Sequence, residues 1–394
     1  MRRYLPIVFL AVVHALVDAV ATFIEPLWPE LRVRRSLSES DMFYLLAVTA
    51  VAPNFSQMFF GFVRDRFGAR YLLWLGPIVG ALCMTSMGLA NSTLSLGLLL
   101  ALGYIAIGGF HPEAVVYAGT LLPDQRTRAL SIFMFGGNLG LALGPAISGN
   151  LVRYADYEAL TWLTVPIIAL MLGLHWFGQT QAHPASQKRA EVPHTSHRTL
   201  RANWKLAAFL LLICSLRVAP AIGMNRALAF TLGQRGYGPN VIGNIQSVFL
   251  FSGSIGILFI GSWFGRGQER RLLITTAWVG TLPMIGLAIP GCPTWLLVTL
   301  LVPAGIILNG TTPAMISYAH QLFPREAGMA SALTMGLSYG TSGLAVAGLV
   351  AVVVDQFQQP QWLFAAFVPT LMAAGLGAQF LPRIILPESG QSVT

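Results

Sequence analysis

The residues able to do chemistry in this chain sit where charge is costly. His14, Asp18 and Glu25 fall inside the first long apolar stretch, and His111 and Glu113 inside the fourth. Arg217 and Arg226 fall inside the seventh. An ionisable group within a membrane-length helix costs roughly 2.5–3.5 kcal/mol or more, so each is a functional candidate. His14 and Asp18 are spaced i, i+4 and share a helix face. His111-Pro112-Glu113 sets a proline between two titratable groups, which frees a carbonyl and permits a bend. A carboxylate placed there can take up and release a proton. Asp18 or Glu113 is the expected carrier, with His111 and His14 completing the proton-coupling set. A guanidinium keeps its charge and holds a carboxylate or phosphonate in a fork. Arg217 and Arg226, with Glu25 and Asn138, are therefore the expected substrate-binding set. A static role is the alternative, with Asp18 paired to Arg217 and Glu25 to Arg226. A metal at His14, Asp18, His111 and Glu113 is a rival reading. No tight His/Cys spacing supports it, and neither a metal nor another cofactor is expected.

The elements that position these residues follow from composition. Of 394 residues, 55% are hydrophobic and 10% charged, against roughly 25% charged in a soluble domain. This is a polytopic membrane protein. The formal charge of +9 is spread over loops with no long basic run, so no nucleic-acid partner is expected. Cys83, Cys214 and Cys292 lie in apolar segments and read as packing residues. The amino terminus has a signal-like look, down to Ala19-Val20-Ala21. Asp18 interrupts the apolar region and the stretch runs on to Trp28, so it is expected to stay as an uncleaved first helix.

A spanning helix needs about 20 mostly apolar residues. Such segments are expected at roughly 5–29, 42–63, 71–90, 94–120, 128–150 and 160–178, then 204–232, 240–264, 271–289, 294–319, 327–354 and 361–384. The expected organisation is a bundle over 1–178, a cytoplasmic linker over 179–203, a second bundle over 204–384 and a cytoplasmic tail over 385–394. Lys and Arg concentrate in the links on the side of the termini, which places both termini in the cytoplasm. Arg32, Arg34 and Arg35 break that rule. Glu30, Glu39 and Asp41 partly offset them.

The halves look like a repeat shifted by about 200 residues, as in transporters built by duplication. Pro112 aligns with Pro313, Pro123 with Pro324, Ala129 with Ala330 and Met134 with Met335. Asp18 and Arg217 become near-equivalent, as do Glu25 and Arg226. The central cavity then has acids on one side and arginines on the other.

Gly61-Phe-Val-Arg-Asp-Arg-Phe-Gly-Ala-Arg70 links the second and third segments. It resembles the loop between helices 2 and 3 of the major facilitator superfamily, G-x-L-x-D-R-x-G-R-R. Gly61, Asp65, Arg66, Gly68 and Arg70 match, while Val63 replaces Leu and Ala69 a basic residue. The resemblance implies a gating role in which Asp65 meets Arg128 or the start of helix 11. A narrower likeness joins His14 and Asp18, Gly109 to Ala114 and Ser131 to Pro145 to the bacterial fosmidomycin resistance family. It is strongest over the first half. Gly140, Gly144 and Pro145 also resemble the helix 5 signature of drug–proton antiporters, with Ser148 departing from it.

The expected fold is an all-α membrane protein, the twelve-helix major facilitator fold of two pseudo-symmetric six-helix bundles. The resemblance implies proton-coupled efflux, by alternating access, of a small anionic or amphipathic compound such as a phosphonate drug. Symport or uniport of an organic anion (a carboxylate or phosphate ester) is the alternative. A transport-inactive membrane sensor or scaffold is the alternative of another class. No nucleophile–base pair or phosphate-binding loop points to an enzyme. The expected partners are a small-molecule substrate, protons and the lipid bilayer, with the chain a monomer in a bacterial inner membrane.

Overall fold

The computed structural model describes residues 2–67, 70–178, 200, 202–263 and 267–384. The expected tail, Gly68 and nearly all of the linker lie outside these residues, as does the Asp65 side chain. Twelve apolar helices follow in order among the described residues. They are α1 Leu5–Arg34, α2 Glu39–Arg64, α3 Leu72–Leu89, α4 Thr93–Leu121, α5 Arg128–Ala155, α6 Tyr157–Leu170, α7 Trp204–Gln234, α8 Pro239–Ile260, α9 Glu269–Ala288, α10 Thr294–Leu322, α11 Gly328–Gln356 and α12 Trp362–Ala378. Ten are long and apolar enough to cross a membrane, α6 continues as helix to Gly178, and α12 is shorter. Helices are the natural solution, because each satisfies its own backbone groups where no water can.

Five helices depart from continuous rods among the described residues: α3 ends in a 3-10 turn at Ser86–Leu89, α6 opens with one at Tyr157–Leu163, α10 is interrupted at Thr311, and α1 and α11 are broken as follows. α1 is α-helical over Leu5–Ala21, makes a 3-10 turn at Glu25–Leu27 and resumes at Trp28–Arg34. Pro26 and Pro29 cannot donate to the preceding turn, and the freed carbonyls find other partners. Thr22 O, which Pro26 leaves free, accepts from Glu25 N at 3.1 Å, and Glu25 O, which Pro29 leaves free, accepts from Gln246 Nε2 at 3.4 Å. α11 holds two π-helical segments, Ala332–Leu337 and Ala351–Gln356. Its hydroxyls line it with local bonds, as from Thr334 to Ala330 O at 3.0 Å.

α1 packs on α5 through small residues. A carbon added at Gly136, Gly140 or Gly144 would lie 2.2, 2.0 or 2.3 Å from the carbonyl oxygens of Ala11, Ala15 and Ala19. Matching four-residue steps on both helices bring the backbones together, which is how small residues drive association in lipid.

The two halves meet most tightly at the end away from the chain termini. Along α2 and α11 an added carbon at Gly343 would lie 2.5 Å from Ala50 Cβ, at Gly340 3.0 Å from Phe55 and at Gly336 3.6 Å from Asn54 O. The helices therefore splay toward the terminal end. At the tight end Arg32 of α1 pairs with Asp355 of α11, and Asn150 of α5 donates to Asn244 of α8 at 3.0 Å. The Arg32–Arg35 cluster finds its contacts in Asp355, in Asp156 between α5 and α6, and in the last turn of α3. Arg34 bonds Asp156 at 2.7 Å and Arg35 donates to Gly88 O at 3.1 Å.

Candidate functional site

In the first half, Asp18 lies between two imidazoles. His14, one turn earlier on α1, places Nε2 3.2 Å from Asp18 Oδ2. His111 crosses from α4 and places Nε2 3.0 Å from Oδ1. Each ring is fixed by its other nitrogen. His14 Nδ1 is 2.9 Å from Phe133 O, and His111 Nδ1 is 2.8 Å from Ile107 O. The His14 ring also stacks on Phe133, with centroids 4.0 Å apart. His14 and Asp18 are buried, while the His111 side chain keeps 20% of its exposure. The donor atoms of all three lie within 4.8 Å of one another, a spacing that a small cation can bridge.

Glu113 is not part of this group. Its carboxylate turns toward α2, 3.3 Å from Arg64 Nε. The i+2 step from His111 sends it to another face of α4.

In the second half, Arg217 is buried between α7, α9 and α10. One terminal nitrogen donates to Thr276 Oγ1 at 3.2 Å, Ile307 O at 3.0 Å and Thr311 Oγ1 at 2.8 Å. Nε and the other terminal nitrogen are buried without a hydrogen-bond partner. The alternative pairing of Asp18 with Arg217 does not occur, because Asp18 is held by the histidines and Arg217 by α9 and α10. The two sockets are nevertheless related. A carbonyl of α4, Ile107 O, holds an imidazole in one half, and a carbonyl of α10, Ile307 O, holds a guanidinium in the other, one residue off the register that aligns Pro112 with Pro313.

Glu25 and Arg226 do meet across the halves. Their closest atoms are 3.8 Å apart, and Arg226 donates to Thr49 Oγ1 at 2.8 Å. Glu25 Oε2 and Arg226 Nε stay buried without hydrogen bonds. Gln246 Nε2 closes the layer, bonding Asn225 O at 2.7 Å. Beyond it, at the tight end, a cavity of about 620 Å³ is lined by both halves, including Glu30, Arg32, Phe230, Gln234, Asp355 and Gln358.

Asn138 is half-buried and bonds its own helix at Met134 O, 2.9 Å away. Gly140 and Gly144 serve the α1 contact, while Pro145 O faces Gly243 of α8, 2.1 Å from a carbon added there. In the gating motif, a carbon added at Gly61 would lie 4.0 Å from Pro112 Cγ of α4. Arg66 stacks near Phe67 at 5.7 Å, and Arg70 is exposed. Arg128 donates to the Tyr4 hydroxyl at 3.1 Å and lies 4.9 Å from its ring centroid. The expected contact of Asp65 with it lies outside the described residues.

Sequence reasoning passed over Thr49, Gln246, Thr276, Thr311 and Asp355. Their only signal is polarity inside apolar segments, which many self-bonded hydroxyls share.

The family model described as Major Facilitator Superfamily matches residues 10–238, more than half of the chain. The fosmidomycin resistance protein of Escherichia coli K12 is 26% identical over 94% of this chain and 90% of its own length. The uncharacterised MFS-type transporter YfnC of Bacillus subtilis is 23% identical over 95% and 92%. Among solved structures, the nucleoside transporter NupG superposes with a TM-score of 0.74 at 14% identity, covering 97% of this chain and 99% of that one. A bacterial homologue of the human lysosomal transporter Spinster, inward-facing and occupied, gives 0.69 at 13% identity, covering 98% and 97%.

Proposed function

This chain belongs to the major facilitator superfamily of multi-pass membrane transport proteins, and on that premise we propose that it exports a small anionic or amphipathic compound in exchange for protons. The observation that carries the coupling is the Asp18 group. A carboxylate flanked by two imidazoles, buried on two sides and open at His111, offers a place where a proton is held out of water and released again. The likeness to a fosmidomycin resistance protein supports efflux and a phosphonate-like cargo. Arg226 and Arg217 supply hydrogen-bond donors with unused capacity for such an anion. The tight seal at one end and the splayed helices at the other fit one state of an alternating-access cycle. With both termini cytoplasmic, that state faces inward.

Organic-anion symport is the second reading, and one observation favours it. A proton on the histidines adds positive charge to an interior that already holds two guanidinium groups. An anion and a proton would then load together.

The test is substrate-dependent proton flux in proteoliposomes, for wild type beside Asp18→Asn and Arg226→Gln, with fosmidomycin, simple phosphonates and small carboxylates. Proton movement opposite to the cargo, lost in Asp18→Asn, is the expected result. Movement in the same direction gives the symport reading. Absence of flux for every compound reopens a sensor role.

A further inference from the structure

We propose that His14, Asp18 and His111 form a binding site for a divalent transition cation of the Zn²⁺ class. The proposal goes beyond the transport reading and does not depend on it, since binding is measured without transport.

Hydrogen bonding sets the chemistry. Phe133 O and Ile107 O can only accept, so the Nδ1 atoms 2.9 and 2.8 Å from them carry the ring hydrogens. A neutral ring in that tautomer presents Nε2 as a lone pair. Both Nε2 atoms face the carboxylate of Asp18, at 3.2 and 3.0 Å. Lone pairs from three groups converge on one spot, an arrangement that calls for a cation between them. Metal-binding histidines are held in the same manner, with the remote N–H donated to a carbonyl or carboxylate.

Size and donor type agree. Zinc–nitrogen and zinc–oxygen bonds of about 2.0–2.2 Å in a tetrahedron give donor–donor edges of about 3.3–3.5 Å. The observed separations are 3.2 Å to Oδ2 and 3.0 Å to Oδ1, one to each oxygen of the carboxylate, and the ligand atoms of the three groups lie within 4.8 Å of one another, so a cation would draw them together to reach those edges. Two nitrogens and one oxygen suit Zn²⁺, Co²⁺ or Ni²⁺, whereas Mg²⁺ and Ca²⁺ take oxygen ligands. Three protein ligands leave a fourth position for water. The His111 side, 20% exposed against 4% for His14, is where that water enters. Gly137 keeps the space clear, because an added carbon there would lie 2.4 Å from His14 Cε1 and 2.6 Å from Asp18 Oδ2.

The full chain, purified in detergent and stripped of metal, is titrated with Co²⁺ by visible absorption and with Zn²⁺ by calorimetry. His14→Gln, Asp18→Asn, His111→Gln and the triple variant are run beside it, each checked by thermal unfolding. The triple variant subtracts uptake by histidines elsewhere. The expected result is one additional equivalent in the wild type, with the strong absorption of four-coordinate Co²⁺, weakened at least tenfold by each single substitution. Equal uptake by wild type and triple variant overturns the proposal, as does a weak six-coordinate spectrum. Proton flux in metal-free buffer judges the transport reading separately. A protein that binds Co²⁺ and moves no protons sinks that reading alone, and one that moves protons without binding Co²⁺ sinks this one.

Discussion

Gly137 of α5 lies against Asp18 of α1 so closely that a methyl group at its position would come within 2.6 Å of the carboxylate oxygen Oδ2. The same methyl would press on His14 Nε2 at 2.6 Å. Gly137→Ala is therefore expected to push the carboxylate and imidazole apart while the rest of α5 stays seated on α1. Overpacking of this kind costs about 1–3 kcal/mol. Proton-coupled flux is expected to fall at least tenfold with the protein still folded. Wild-type flux with an unchanged melting temperature would show that the group tolerates displacement.

Arg217 combines full burial with two unpartnered nitrogens and no acidic contact among the described residues. Replacing a poorly compensated buried charge with an apolar residue of similar length is often neutral or stabilising by about 1–4 kcal/mol. Arg217→Met is expected to hold or raise the melting temperature and to abolish transport of an anionic cargo. A large loss of stability with transport retained would make Arg217 a structural residue.

Arg32 and Asp355 join α1 to α11 at the tight end, and the Asp355 side chain is 1% exposed there. Asp355→Asn leaves Arg32 without its charge partner and is expected to loosen that end. Spin labels at positions 33 and 358, in a chain lacking Cys83, Cys214 and Cys292, measure the separation by electron resonance. The variant is expected to populate longer distances, and the exchange Arg32→Asp with Asp355→Arg to restore the short one. Identical distance distributions in wild type and Asp355→Asn would dismiss the pair as a latch.

Arg34 and Asp156 make a contrasting pair, with side chains 49% and 59% exposed. The Arg34 guanidinium, helped by the Tyr157 backbone N–H, holds the Asp156 carboxyl below its ordinary range. Its contribution is thus present above the ordinary carboxylate value and fades as the pH falls through the lowered one. Because water screens the pair, Asp156→Asn is expected to change stability by less than about 1 kcal/mol at neutral pH. A thermal melt at pH 7 and again at pH 3 checks this, with any gap between wild type and variant narrowing at the lower pH.

Helix number and most boundaries were legible because lipid demands long apolar segments and polar links interrupt them. The expected 94–120 stands beside the observed Thr93–Leu121. The break in α1 was signalled by Pro26 and Pro29, but hydropathy ran through it and hid it. The π segments of α11 carry no compositional mark at all. In the site, the His14–Asp18 step was readable because four residues return to one helix face. The arrival of His111 from α4, ninety-three residues from Asp18, was not readable, since it depends on how α1 and α4 cross. For the same reason Glu113 was grouped with Asp18, although its own helix turns it to Arg64. Opposite charges at near-equivalent positions suggested two cross-half pairs. Only Glu25 and Arg226 met, because each socket had closer partners for Asp18 and Arg217 within its own half.

The two π segments of α11 give that helix slack at both ends. Each winds in more residues per turn than the α form, on either side of Ser338–Val350. Passing one residue from bulge to bulge would turn the middle by about 100°, one residue's worth of helical rotation, while both ends stay anchored. A rod clamped between two halves of a protein would otherwise have to bend or slide. This one could swivel, and Thr341 and Ser342, whose hydroxyls now meet Ser215 of α7, would change the face they offer without either half letting go.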